Sequence, residues 1–184
     1  PRRFAIESWT LSGNDGVTEL RDLQTFASAG QAIYDHPDNQ LVYPEGVLDG
    51  RFNGGDASAF AAAGFQLALF SLDPDAELVI DPPFLEEEDL NDLPRTGSSP
   101  ALDGDDGYLR LPWFSIFYEG RYLYKAFAVD GNWFDLVRTT PVGGGMGGNI
   151  GDGVDPPLFR VQGGIGLFGS AAVDSVGFRI LPAP

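Results

Sequence analysis

Two aspartate-rich turns are the places in this chain best supplied for chemistry: Asp103-Gly104-Asp105-Asp106-Gly107 and Gly151-Asp152-Gly153-Val154-Asp155. Hard cations take oxygen ligands from closely spaced carboxylates, and glycine permits the tight curvature that gathers them. Asp103, Asp105 and Asp106 are therefore the candidate metal ligands, Asp152 and Asp155 a poorer set, and Ca2+ the cofactor either would take. The first turn departs from the EF-hand pattern, with Gly107 where the third ligand should stand and no suitably spaced Glu. Plain turn chemistry competes for the same residues, because Asp and Gly favour turns for backbone reasons alone.

Trp113, Tyr118 and Tyr122 form the candidate ligand-binding set, a stacking platform for a sugar or peptide. Aromatic residues at strand spacing also fill interiors, which is the competing reading. Nucleophilic hydrolysis needs a base, and the sole histidine, His36, lies in the polar run Asp35-His36-Pro37-Asp38, where exposure to solvent is its ordinary fate. One His and no Cys leave zinc only carboxylates. Among 27 acids some pair will lie at a glycosidase-like separation by chance. Glu119, next to Tyr118, is the most interesting single carboxylate, yet its turn position implies exposure. The glycines of Val142–Gly153 lack the G-K-[ST] of a phosphate cradle. No catalytic residue is assigned, and the chain is read as non-enzymatic.

Composition bounds the setting. A chain of 184 residues suits one domain and can bury a real core. A hydrophobic content of 43% argues against disorder. The net charge of −16, with Lys125 the only lysine, argues against nucleic acid, whose phosphates need clustered cations. High salt, bound divalent cations or surface solubility would each account for such acidity. No apolar run reaches the length of a membrane span, and PRRFAIESW has no signal-peptide hydrophobic region. Starting at Pro1 rather than Met, the chain is expected to be a processed or truncated product. The absence of Cys excludes disulfides and thiol catalysis and leaves the redox compartment open.

The elements that must position these residues are short. Glycine and proline together number 39 (25 plus 14) and recur between short apolar stretches, the punctuation of a turn-rich β protein. Strands are expected around Phe4–Trp9, Leu41–Val47 and Phe65–Leu72. Helical turns are expected at Ala57–Ala63, capped by Asp56 and Gly64, and at Asn132–Val137, with a short acidic helix near Leu85–Leu93. Residues 73–107 read as an acidic loop excursion and 142–157 as a long Gly-rich loop. Between Tyr108 and Phe134, ten of the 23 aromatics mark the core. There Trp113–Tyr118 and Arg121–Val129 read as a hairpin joined by Glu119-Gly120. Alternation sets Tyr122, Tyr124, Ala126 and Ala128 on one face, and Leu123, Lys125, Phe127 and Val129 on the other. Val161–Ile180 reads as the last, buried part of the sheet, with Ile165 and Leu167, then Val176, Phe178 and Ile180, on the same side of their strands and bulges at its glycines. The fold class expected is all-β: an antiparallel β-sandwich, immunoglobulin-like or jelly-roll-like, in a single domain 1–184.

The run YLYKAFAVDGNWFDLVRTT, the loop containing Asn149-Ile150, and VQGGIGLFGSAAVDSV resemble the end of the domain-of-unknown-function 4249 family of bacterial surface lipoproteins. The matching residues are Asp130, Trp133, Phe134, Gly163, Gly164, Gly166 and Phe168, across about sixty residues. The resemblance implies an exported protein lipid-anchored at the outer membrane and linked with TonB-dependent uptake. It brings no catalytic residues. The chain departs from that pattern in having no lipid-bearing Cys and too little length for an additional N-terminal immunoglobulin-like domain. The expected role is a non-catalytic extracytoplasmic binding or assembly domain at the cell surface or outer membrane, accessory to a transporter. Its expected partners are other surface proteins or further copies of itself. A calcium-stabilised subunit of an extracellular fibre or layer is the second expectation, and a carboxylate-based glycan hydrolase the third.

Overall fold

The computed structural model describes residues 8–12, 21–25, 30–43, 49–53, 62–79, 90, 93–102, 108–110, 116–139, 162–164 and 166–184. In chain order these hold β1 (Ser8–Ser12), β2 (Arg21–Leu23), α1 (Gln31–Asp35), a 3-10 turn (Pro37–Asn39), β3 (Gln40–Val42), β4 (Asp49–Asn53), β5 (Gly64–Ser71), β6 (Thr96–Ser98), β7 (Tyr108–Arg110), β8 (Gly120–Val129), α2 (Gly131–Thr139) and β9 (Ala171–Leu181). The described residues are sheet-dominated, as the glycine and proline punctuation predicts. One sheet runs β2-β1-β4-β7 and the other β3-β9-β8-β5-β6. Among the described residues no helix is long and apolar enough to cross a membrane.

The second sheet is organised by β8, whose alternation GRYLYKAFAV buries every second side chain. Tyr122, Tyr124, Ala126 and Ala128 all face the core, and their neighbours Leu123, Lys125 and Phe127 are half-buried on the other face. Both edges of β8 are occupied: β5 pairs with Tyr122–Val129 and β9 with Gly120–Val129, each antiparallel. This corrects the expected hairpin. A strand already bonded on both sides has no edge left for Trp113–Tyr118, and Tyr118 instead bridges to Leu78. The tight link itself is real, since Gly120 has φ 94°, the left-handed region in which glycine is at ease.

The cross-strand neighbours form the core. Tyr124 sits between Leu69 and Val176, Ala126 opposite Leu67, and Tyr122 opposite Phe178, whose ring stacks on it at 5.5 Å. Leu23, from the other sheet, is buried in the same cluster. Val176, Phe178 and Ile180 point inward as their spacing predicts.

The sheet is mixed, which corrects the purely antiparallel expectation. β3 runs parallel to the end of β9, pairing Gln40 with Arg179, Leu41 with Ile180 and Val42 with Leu181. α1 and the 3-10 turn lie against β9 and bring the chain to its free edge immediately before β3. Asn39 secures the approach. It is fully buried, donating from Nδ2 to the Gly177 carbonyl at 2.7 Å and the Gln24 carbonyl at 3.4 Å, while its Oδ1 accepts from the Gln24 N–H at 3.2 Å.

Other elements shift relative to the sequence reading. Gly64 opens β5 instead of ending a helix, and Ala63 already bonds the Val129 carbonyl at 2.8 Å. Glycine is needed there because a Cβ would lie 2.4 Å from the Phe134 ring and 2.5 Å from the Leu102 carbonyl oxygen. The helix expected at Asn132–Val137 is α2, which starts one residue earlier and ends two later, at Gly131–Thr139. Within the acidic stretch 73–107, β6 returns to pair with β5. None of the described residues of the Gly163–Phe168 run is in a strand: Gln162–Gly163 form a turn, Ile165 lies outside the described residues, and the final strand begins only at Ala171. Most of Ala57–Ala63, most of Leu85–Leu93, Phe4–Glu7, Pro44–Val47 and the Gly-rich 142–157 lie outside the described residues.

Candidate functional site

Two of the three residues singled out for ligand binding, Tyr118 and Tyr122, turn inward. Tyr118 is 7% and Tyr122 3% exposed, so neither offers a ring face to a ligand. The Tyr122 hydroxyl donates to the Tyr118 carbonyl at 2.9 Å and accepts from the Tyr118 N–H at 3.3 Å, closing the turn before β8. Burial pushes the Tyr122 phenol up to about 12. The Tyr118 hydroxyl donates to the Leu93 carbonyl at 3.0 Å, and the Arg95 guanidinium lies 3.8 Å over its ring. Trp113, Asp103, Asp105, Asp106, Asp152 and Asp155 lie outside the described residues. Among the described residues no three acidic or His side chains gather where they could hold a metal ion. His36 caps the 3-10 turn, its Nδ1 accepting from the Asp38 N–H at 3.3 Å, and Glu119 is half-buried with its N–H on the Glu77 carbonyl.

At the Gly120 end of β8, Asp73 accepts from the Arg121 N–H at 2.7 Å and from its Nε at 2.8 Å, with the terminal nitrogen closing a two-pronged pair. Arg121 also reaches Gln31 on α1, and Arg179 meets Asp35 at 3.3 Å, so this cluster ties α1 to the sheet. Hydrogen bonding from the Arg121 side chain holds the Asp73 carboxyl below its ordinary range, against an opposing push from burial. Because its folded pKa lies below the unfolded one, the unfolded chain binds the proton first. The pair's stabilisation is complete above the ordinary aspartate value of about 3.9 and drains away as pH falls through the folded value. Urea melts from pH 6 to 2.5 are expected to show a steep acid limb that Asp73→Asn flattens; parallel limbs would remove Asp73 from this role.

The opposite end of β8 carries a site that side-chain types alone did not reveal. Asp130 follows the strand and caps α2, its Oδ1 accepting from Asn132 N–H at 3.1 Å and Trp133 N–H at 3.0 Å. Its Oδ2 accepts from Ser170 N–H at 2.6 Å and Ser170 Oγ at 2.9 Å. Burial alone would raise this carboxyl, but the bonds from Trp133, Ser170 and Asn132 outweigh it and lower it. Asn132 Nδ2 then donates to the Phe168 carbonyl at 2.9 Å. The backbone on both sides of Gly169 is thus fastened to the start of α2.

What this clamp presents is apolar. Phe168 is 85% and Leu167 43% exposed, and Val173 is 49% exposed on the face of β9 that adjoins Phe127. Phe127 in turn leans on Trp133 at 6.0 Å, and the Trp133 indole N–H donates to Gln66 at 3.1 Å, so α2 is packed firmly against β5 and β8. From Val161 to Val173 the sequence has no charged residue, although the chain as a whole carries −16. The expectation that the glycine segment is buried is therefore corrected: short-range alternation placed Leu167 inside, whereas the glycines around it supply turns, Gly163 having φ 77°. Asp130→Ala is expected to cost about 1 kcal/mol through the lost helix cap, since Ser170 is exposed and water can take up its two donors. Hydrogen exchange should quicken together at Asn132, Trp133 and Ser170; faster exchange at the helix alone would disprove the clamp.

No protein-family model, curated protein or solved structure matches this chain.

Proposed function

We propose that this chain is a non-catalytic, extracytoplasmic binding or assembly domain whose two sheets pack as a β-sandwich and whose contact point is the Leu167–Phe168 tip. The observation that carries the reading is the exposure of Phe168 on a backbone held by Asn132 and Asp130. A phenyl ring on a free glycine loop can fold back onto the protein, whereas one fixed outward is preorganised to fill a partner's pocket without an ordering cost on binding. The described carboxylates with lowered pKa, Asp73 and Asp130, spend their oxygens on structural bonds, which favours binding over catalysis. The sandwich is supported by the shared cluster that Leu23 enters from one sheet and Tyr124 from the other. Location at the cell surface or outer membrane, beside a TonB-dependent transporter, rests on the C-terminal resemblance alone.

Cell fractionation with surface proteolysis of cells that make the protein tests both halves of the reading. Wild-type protein is expected in the envelope fraction and open to external protease. Phe168→Asp should lose at least tenfold of its co-purification with envelope proteins while melting at the wild-type temperature, since a surface change away from packing alters stability by under about 0.5 kcal/mol. Cytosolic recovery would overturn the location, and an unchanged association of Phe168→Asp would overturn the tip. Ordered polymers of pure protein on size-exclusion chromatography, formed only with calcium, would move the reading to a fibre subunit.

A further inference from the structure

We draw no further inference here: the strongest candidate, the apolar surface of Leu167, Phe168 and Val173 at the α2 end of the sheet, belongs to the site already described, and nothing in the structure shows what covers it.

Discussion

Phe178→Ala is expected to destabilise the protein by about 3–5 kcal/mol, a large fraction of the stability of a domain this size. Phe178 is 2% exposed and stacks on the Tyr122 ring in the part of β9 flanked by β3 and β8, so the vacated volume is walled by strands bonded to one another and can relax only partly. Phe178→Leu separates the contributions, because it restores most of the volume and removes the ring stacking, for a cost of about 1–2 kcal/mol. Urea denaturation with an unchanged slope checks both. A loss below about 1 kcal/mol for the alanine variant would show that Phe178 is not part of a packed interior.

Asn39→Ala should cost about 3 kcal/mol although it removes only a small polar group. The Gly177 carbonyl loses its donor inside the protein, and a buried acceptor left unmade carries a penalty of about 1–3 kcal/mol. The two Gln24 backbone groups lose partners as well, but Gln24 is exposed and water can replace part of what they lose. Asn39→Asp should be worse than alanine, since it sets an acceptor against the Gly177 carbonyl and buries a charge. Denaturation midpoints for the two variants give the ordering. If the aspartate proved the milder change, the Nδ2 bond would not be the source of the effect.

The residues that were legible in advance are those whose period matched their surroundings. β8 combines alternation with aromatic and aliphatic side chains, so its inward face follows from spacing, and the apolar run Phe65–Leu72 marks β5 as a strand. The helix after Asp130 was equally readable, because the spacing of apolar residues through Trp133–Val137 is a local signal. Partnership was not readable. Glu119-Gly120 is a good two-residue turn, yet the occupants of both β8 edges come from about 40 to 65 residues away in the chain, and no local pattern encodes them. Parallel pairing of three-residue β3 is invisible for the same reason, as is the bond from Asn39 to a carbonyl of β9 that secures it.

The candidate site was misread through glycine. A Gly-hydrophobic-Gly-hydrophobic pattern fits a strand with bulges and a loop with turns equally well, and the deciding information lies in Asp130, about 40 residues upstream, which pins Ser170. The aromatic set failed differently. Tyr118 and Tyr122 are four residues apart and bond to each other, so their proximity in sequence reflects a closed turn instead of a shared surface.

The parallel pair of β3 and β9 also has a kinetic meaning. It joins positions 40 and 179, a separation of 139 residues (179 − 40), whereas β8 meets β9 across 42 to 60 residues (171 − 129 and 180 − 120). Entropy of loop closure makes the distant contact slower to form, and its template, β9 held by β8, must exist beforehand. The centre of the sheet therefore assembles first and the N-terminal segment latches onto it last, so three residues close the longest loop in the sheet.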